Sequence, residues 1–162
     1  MKIAFKMKRY NILSIDEFKT IIGNNSRLLG IDPGNRNVGF AICDENKKVA
    51  TPLKIIEKTK FETLISEINQ IIKENDIKGI VIGNPINMDG TLGKSSQAAV
   101  DFAKKLSINV TVPVAMWDER LSSEASFKIT KELGTNVTNR IDKLDKNAAA
   151  FILQGAIDYL SN

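Results

Sequence analysis

An α/β fold, built on a mixed five-stranded sheet with helices on both faces, is predicted by the order in which two kinds of apolar pattern occur along the chain. Three short runs rich in Leu, Ile and Val come first, near residues 28–31, 37–43 and 49–56, with connections too short to hold a helix. Two further runs, Lys78 to Gly83 and Val110 to Trp117, are each preceded by apolar residues at helical spacing. A strand reached through a helical crossover lies parallel to its neighbour. The later strands therefore share the C-terminal edge of the first, where ligands gather in open α/β sheets.

Taken in order, Ser14-Ile15-Asp16-Glu17 reads as a capping box, followed by Phe18, Ile21 and Ile22 and stopped by Gly23. This short amphipathic helix is assigned a packing role. Leu28-Leu29-Gly30-Ile31-Asp32-Pro33-Gly34-Asn35 is an apolar strand that ends in a carboxylate and a turn. Pro33 biases Asp32 towards extended backbone, and Pro followed by Gly suits the central positions of a type II turn. A buried charge without a partner is costly, so Asp32 needs a metal, a cation or amide donors beside it. The runs Asn37 to Cys43 and Val49 to Ile56 flank a hairpin loop at 44–48.

Thr59-Lys60-Phe61-Glu62 reads as a second capping box, and Phe61, Leu64, Ile65, Ile68, Ile71 and Ile72 fall on one helical face. The strand from Lys78 to Gly83 is broken by Asn84-Pro85 and the polar loop Asn87-Met88-Asp89-Gly90. Ala98, Ala99, Phe102, Ala103 and Leu106 mark a helix, and the strand from Val110 to Trp117 ends in Asp118-Glu119-Arg120. A helix is expected over 123–133. The polar segment from Gly134 to Arg140 offers little to bury and is expected to be mobile. The last helix, Asp142 to Tyr159, places Asp142 and Asp145 three residues apart on one face near its start.

Composition narrows the chemistry. A chain of 162 residues with 43% hydrophobic content suits one domain with a substantial core. It has no secretion-signal pattern at its start and no apolar run of membrane-spanning length, which points to the cytoplasm. The single cysteine, Cys43, reads as a core thiol. There is no histidine, so Ser-His-Asp and Cys-His nucleophilic sites and histidine-bound zinc are excluded. A net charge of +4 is compatible with a polyanionic partner.

Hydrolysis without histidine falls to carboxylates. Asp32, Asp118-Glu119 and the pair Asp142/Asp145 converge on one sheet edge in the topology above. Such an all-oxygen set suits Mg²⁺ or Mn²⁺, and two such ions about 4 Å apart can cleave a phosphodiester without a protein nucleophile. Taken singly, each carboxylate also has a structural reading: Asp118 as a cap, Glu119-Arg120 as a surface pair, and Asp142 and Asp145 as partners of the helix dipole. Crowded together, at least one of them should hold its proton more tightly than a free carboxyl. Arg36, Lys94, Arg120, Arg140, Lys143 and Lys146 lie in or beside these stretches as candidate phosphate contacts. Trp117 reads as core in preference to a base-stacking residue.

Four stretches, residues 29–41, 83–90, 117–123 and 145–154, resemble in order the motifs of the YqgF family, and the likeness spans about Leu28 to Tyr159. It implies a ribonuclease H-like domain over 28–162 behind a helical extension, 1–27. It also implies a nuclease that matures the 5′ end of pre-16S ribosomal RNA. The alternatives are a Holliday junction resolvase cutting branched DNA, which would need two sites and hence a homodimer, and a noncatalytic nucleic-acid-binding domain. Carried over, Asp32, Glu119 and Asp145 are the catalytic metal ligands, and Asp142 mirrors the paired aspartates of the resolvases. Asn84 stands where the family usually has an apolar residue, and Ser122-Ser123 replaces a more usual Thr pair.

Overall fold

Apolar residues alternate or run continuously where the chain forms strands, and the computed structural model joins these strands into one mixed sheet. It describes residues 12–122 and 140–161, and of 140–147 the helical backbone alone. The strands are β1 (Ile12–Leu13), β2 (Arg27–Pro33), β3 (Asn37–Cys43), β4 (Ala50–Glu57), β5 (Ile77–Asn84) and β6 (Val114–Asp118). The helices are α1 (Ile15–Ile21), α2 (Phe61–Glu74), α3 (Lys94–Ser107) and α4 (Arg140–Leu160). The sheet order is β1-β6-β5-β2-β3-β4, with β2-β3-β4 an antiparallel meander and β2-β5, β5-β6 and β1-β6 parallel.

Five of these strands are the expected ones. The sixth, β1, is two residues pairing with Val114 and Ala115, too short to carry any periodicity of its own. Part of the N-terminal extension thus extends the sheet as well as packing on it. β6 begins at Val114, four residues later than the apolar run suggested, because Pro113 has no amide to give to a ladder; its carbonyl accepts from Ile80 instead, at 2.9 Å.

The capping box at Ser14 and Glu17 forms in both directions, at 3.0 and 3.1 Å. The second does not: Lys60 is the N-cap of α2, without a side-chain cap bond, so Thr59 stands one position too early. The type II turn is also replaced. β2 runs through Pro33 into register with Val38, and the Gly34 N–H donates to the Asp32 carbonyl at 3.0 Å, a bond that closes around Pro33 alone. Gly34 is not at positive φ; it is required because a Cβ there would lie 2.5 Å from the Asn37 carbonyl oxygen.

Strand alternation sorts the core into two layers. Leu28, Val81, Ala115 and Trp117 face α4, where they meet Ala149, Ile152, Leu153, Ala156 and Ile157. Leu29, Ile31, Ile80, Ile82 and Val114 face α2 and α3, where they meet Leu64, Ile68, Phe102 and Leu106. Gly30 and Gly83 let α4 lie against the sheet. A Cβ on Gly30 would sit 2.7 Å from Leu153 Cβ, and one on Gly83 would overlap the Ile152 side chain. Gln154, fully buried, ties α4 to the β3-β4 hairpin: it accepts from the Ala50 N–H and donates to the Lys48 carbonyl, both at 2.9 Å. Cys43 is buried and accepts the Leu28 N–H through Sγ at 3.3 Å, and burial pushes its thiol pKa up. Among the described residues, no helix is long and apolar enough to cross a membrane.

Candidate active site

Parallel strands β2, β5 and β6 end together at one edge, and their last residues supply the site. The register Ile31↔Ile82, Gly83↔Trp117 and Asn84↔Asp118 sets Asp32 level with Gly83 and Trp117, with Asn84 and Asp118 one residue further along the two neighbouring strands. Alternation then divides them. Asp32 is two residues beyond Gly30 and shares its α4 face, whereas Asn84 and Asp118 follow Ile82 and Met116 on the α2/α3 face. Asn84 is held there by Ser96 of α3, whose hydroxyl donates to Asn84 Oδ1 at 2.5 Å.

Glu119 opens a single 3-10 turn (Glu119–Leu121) that Asp118 caps by accepting the Arg120 N–H at 3.0 Å. That turn carries Glu119 off the strand and towards Asp32. Its carboxyl is half-buried, and its pKa rises to about 7, chiefly through burial, then through the negative charges of Asp32 and Asp118. The expectation that crowding would raise one carboxylate is met, with burial the larger cause.

Asp118 is held below the usual carboxylate range, because the Arg120 side chain donates hydrogen bonds to it. Nη2 reaches Oδ2 at 2.7 Å, and Nε lies 3.0 and 3.2 Å from the two carboxylate oxygens. The remaining Nη1 points at the Asn87 carbonyl, 3.5 Å away, in the loop after β5. Arg120, a candidate phosphate contact in the sequence, is here a strut between β6 and that loop. Composition gave no signal for this use, and the Asp-x-Arg spacing would have.

Asp142 and Asp145 lie on the helical backbone of α4, Asp145 one turn before Ala149, whose carbonyl oxygen approaches Gly30. Their side chains, and those of Arg140, Lys143 and Lys146, lie outside the described residues, as do the helix expected over 123–133 and the polar segment before Arg140. Among the described residues no group of three or more possible metal ligands comes together. Arg36 lies in the β2-β3 turn and lines a cleft of about 530 Å³ with Asn35, Asn37, Glu57 and Lys58. Lys94 is exposed at the start of α3. Trp117 is core: it is 1% exposed, donates from Nε1 to Ser122 Oγ at 3.0 Å and packs on Tyr159.

The model of the RuvX family, described as Holliday junction resolvase, matches residues 26–159. The chain belongs to this family. A relative from Pelagibacter ubique, named as a pre-16S rRNA nuclease, is 48% identical over 93% of this chain and 100% of its own length. Another of that name, from Ruegeria pomeroyi, is 40% identical over 92% of this chain and 97% of its own. Among solved structures, the chain is similar to RuvC from T. thermophilus in complex with a Holliday junction substrate, with a TM-score of 0.55 and 13% identity over 80% of this chain and 91% of that one. It is similar also to the yeast mitochondrial Holliday junction resolvase Ydc2, at a TM-score of 0.55 and 10% identity over 91% of this chain and 84% of the other. At those identities the likeness is one of fold, and it makes the sheet of this RuvX-family chain ribonuclease H-like.

The family match begins at residue 26, beside the start of β2, so β1 and α1 lie before it. The departures noted in the sequence have local partners in this RuvX-family chain. Asn84 pairs with Ser96, and Ser122 satisfies the indole of Trp117.

Proposed function

We propose that this chain is a divalent-metal-dependent nuclease that hydrolyses phosphodiester bonds, with maturation of the 5′ end of pre-16S rRNA as its reaction. The observation that carries this reading is the placement of Asp32 and the half-buried Glu119 at the C-terminal edge of the parallel strands, where burial and then the charge of Asp32 raise the Glu119 pKa. Two carboxyls placed so that one resists ionisation gain most from a cation between them. The donors are all oxygen and the chain has no histidine, which fits Mg²⁺ or Mn²⁺.

Asp32, Glu119 and Asp145 would hold the metal, with Asp142 beside them. When bound, the metal supplies an activated water and a Lewis acid for the leaving oxygen. The protein's own part is to fix the carboxylates on elements that do not yield. Asp32 is set by the β2-β3 ladder, Glu119 by the capped 3-10 turn, and α4 by the glycines beneath it. Arg36, Lys94, Arg140, Lys143 and Lys146 meet backbone phosphates, which position the substrate with little regard to sequence. Residues 28–162 form the catalytic domain behind the 1–27 extension, and the protein acts in the cytoplasm.

Cleavage of branched DNA is the second reading, favoured by the description of the family. It requires two sites facing opposite strands and therefore a homodimer. One preparation assayed with Mn²⁺ on a pre-16S 5′ precursor and on a four-way DNA junction separates the two. The RNA should be cut and Asp32→Asn should abolish the cut. Wild-type activity in Asp32→Asn would overturn the site, and cleavage of the junction alone, by a dimer, would select the second reading.

A further inference from the structure

The loop after β5 presents an apolar side chain where folding gains nothing from it. Met88 is 88% exposed and Leu92 58%, and Leu121, next to the Arg120 strut, is 58% exposed. Single exposed apolar residues are ordinary, but the backbone that carries Met88 is held stiffly. The Asn87 N–H donates to the Thr91 carbonyl at 3.1 Å and the Gly90 N–H to the Asn87 carbonyl at 2.8 Å. Asp89 accepts from both the Thr91 amide, at 2.9 Å, and its hydroxyl, at 2.6 Å, while Asn87 donates its side-chain amide to that hydroxyl at 3.0 Å. Gly90 sits at φ +87°, a conformation that L side chains rarely adopt, and Arg120 closes on Asn87 from behind. A loop with this many internal bonds does not fold its tip back onto the core.

Resting on the nuclease reading above, we propose that Met88 and Leu92 form a platform for unpaired bases that flank the scissile phosphodiester. The loop leaves the same strand ends as Asp32 and Glu119, and Arg120 joins it to the residue next to Glu119. A phosphodiester lying at those carboxyls therefore brings its neighbouring nucleotides past this loop. Every base has an apolar face, and an unbranched thioether adapts to any of them. Two side chains, with charged Asp89 and Lys94 close by in the chain, are too little surface for a protein interface, which buries roughly 800 Å² a side.

Methionine oxidation by dilute peroxide, read by mass spectrometry on the full chain, tests this. The probes, bound in chelator, are a pre-16S 5′ stem with single-stranded flanks and a four-way DNA junction, with partly buried Met116 as internal reference. Met88 should oxidise quickly in the free protein and severalfold more slowly with either probe, while Met116 is unchanged. Met88→Ala should weaken binding about 5- to 100-fold and Met88→Leu restore most of it.

Equal oxidation of Met88 with and without a bound probe overturns the inference. So does slow oxidation in the free protein: a rate that falls with protein concentration assigns the surface to a second copy of the chain, and a slow rate at every concentration assigns it to a covering segment of the same chain. If metal-dependent cleavage is lost in Asp32→Asn while Met88 stays unprotected, the base platform fails alone. If the wild type neither binds nor cuts either probe, both readings fail.

Discussion

Asp118 and Arg120 close a two-pronged ion pair, Nη2 to Oδ2 at 2.7 Å and Nε to Oδ1 at 3.0 Å, and the residue between them in the chain is Glu119. The pair fixes the turn that projects Glu119. Arg120→Ala should lower stability only modestly, since the pair is open to water. In a double-mutant cycle with Asp118→Ala, read by urea unfolding near pH 7, the coupling should be favourable and should shrink in high salt. Asp118 has a lowered pKa, so this stabilisation is present above the ordinary carboxylate range and is lost as pH falls through its folded value. Zero coupling near neutrality would make the pair a surface ornament.

Glu119 behaves in the opposite sense. Its folded pKa of about 7 exceeds the ordinary value of 4.5, so between those values the folded chain keeps a proton that the unfolded chain gives up. Stability in chelator should therefore decline across that window as pH rises and level off above it. Glu119→Gln removes the penalty. It should melt like wild type near pH 4 and be more stable by about 1 to 2 kcal/mol near pH 8, the full shift being discounted because the carboxyl keeps some contact with water. Melting curves at several pH values decide it, and a wild type that gains stability from pH 5 to 8 relative to the variant would refute the assignment.

Asp145→Asn tests the third proposed ligand. Without metal it removes one like charge while preserving shape, so its melting temperature in chelator should rise above that of wild type. Excess Mn²⁺ should stabilise wild type by several degrees and the variant by much less. A variant that melts lower in chelator and gains as much from Mn²⁺ would place Asp145 as a helix cap, outside the metal site.

Gln154 ties α4 to the β3-β4 hairpin. Gln154→Leu leaves the buried Ala50 N–H without its acceptor and takes the donor from the Lys48 carbonyl, a cost of about 1 to 3 kcal/mol in urea unfolding. Turnover on the preferred substrate should fall with it, because the helix that carries Asp145 loses its tie to the hairpin. A change below about 0.5 kcal/mol would mean that water replaces the side chain without loss.

The sequence by itself determined the meander, the alternation of helices with the later strands and the edge at which Asp32, Asp118 and Glu119 stand. These follow from periodicity and from the handed, parallel crossover, which act over a few residues or over whole elements and need no knowledge of side-chain contacts. Asp32 was legible for the same reason: an apolar run ending in Asp-Pro-Gly has one natural place in a sheet. Glu119 was named by resemblance to a family, and spacing alone gave it no preference over Asp118. Only the tertiary structure parted the two, because the face each takes depends on the register of β6 against β5 and on the 3-10 turn that follows.

The same holds for Arg120, which looks like any surface cation until the loop after β5 is folded against it. It holds for Gln154, two of whose partners stand more than a hundred residues earlier in the chain. It holds also for β1, two residues that become a strand because β6 offers them an open edge. Long-range hydrogen bonds and close helix–sheet approach leave no local pattern in a sequence, and in this chain they decide which charges meet.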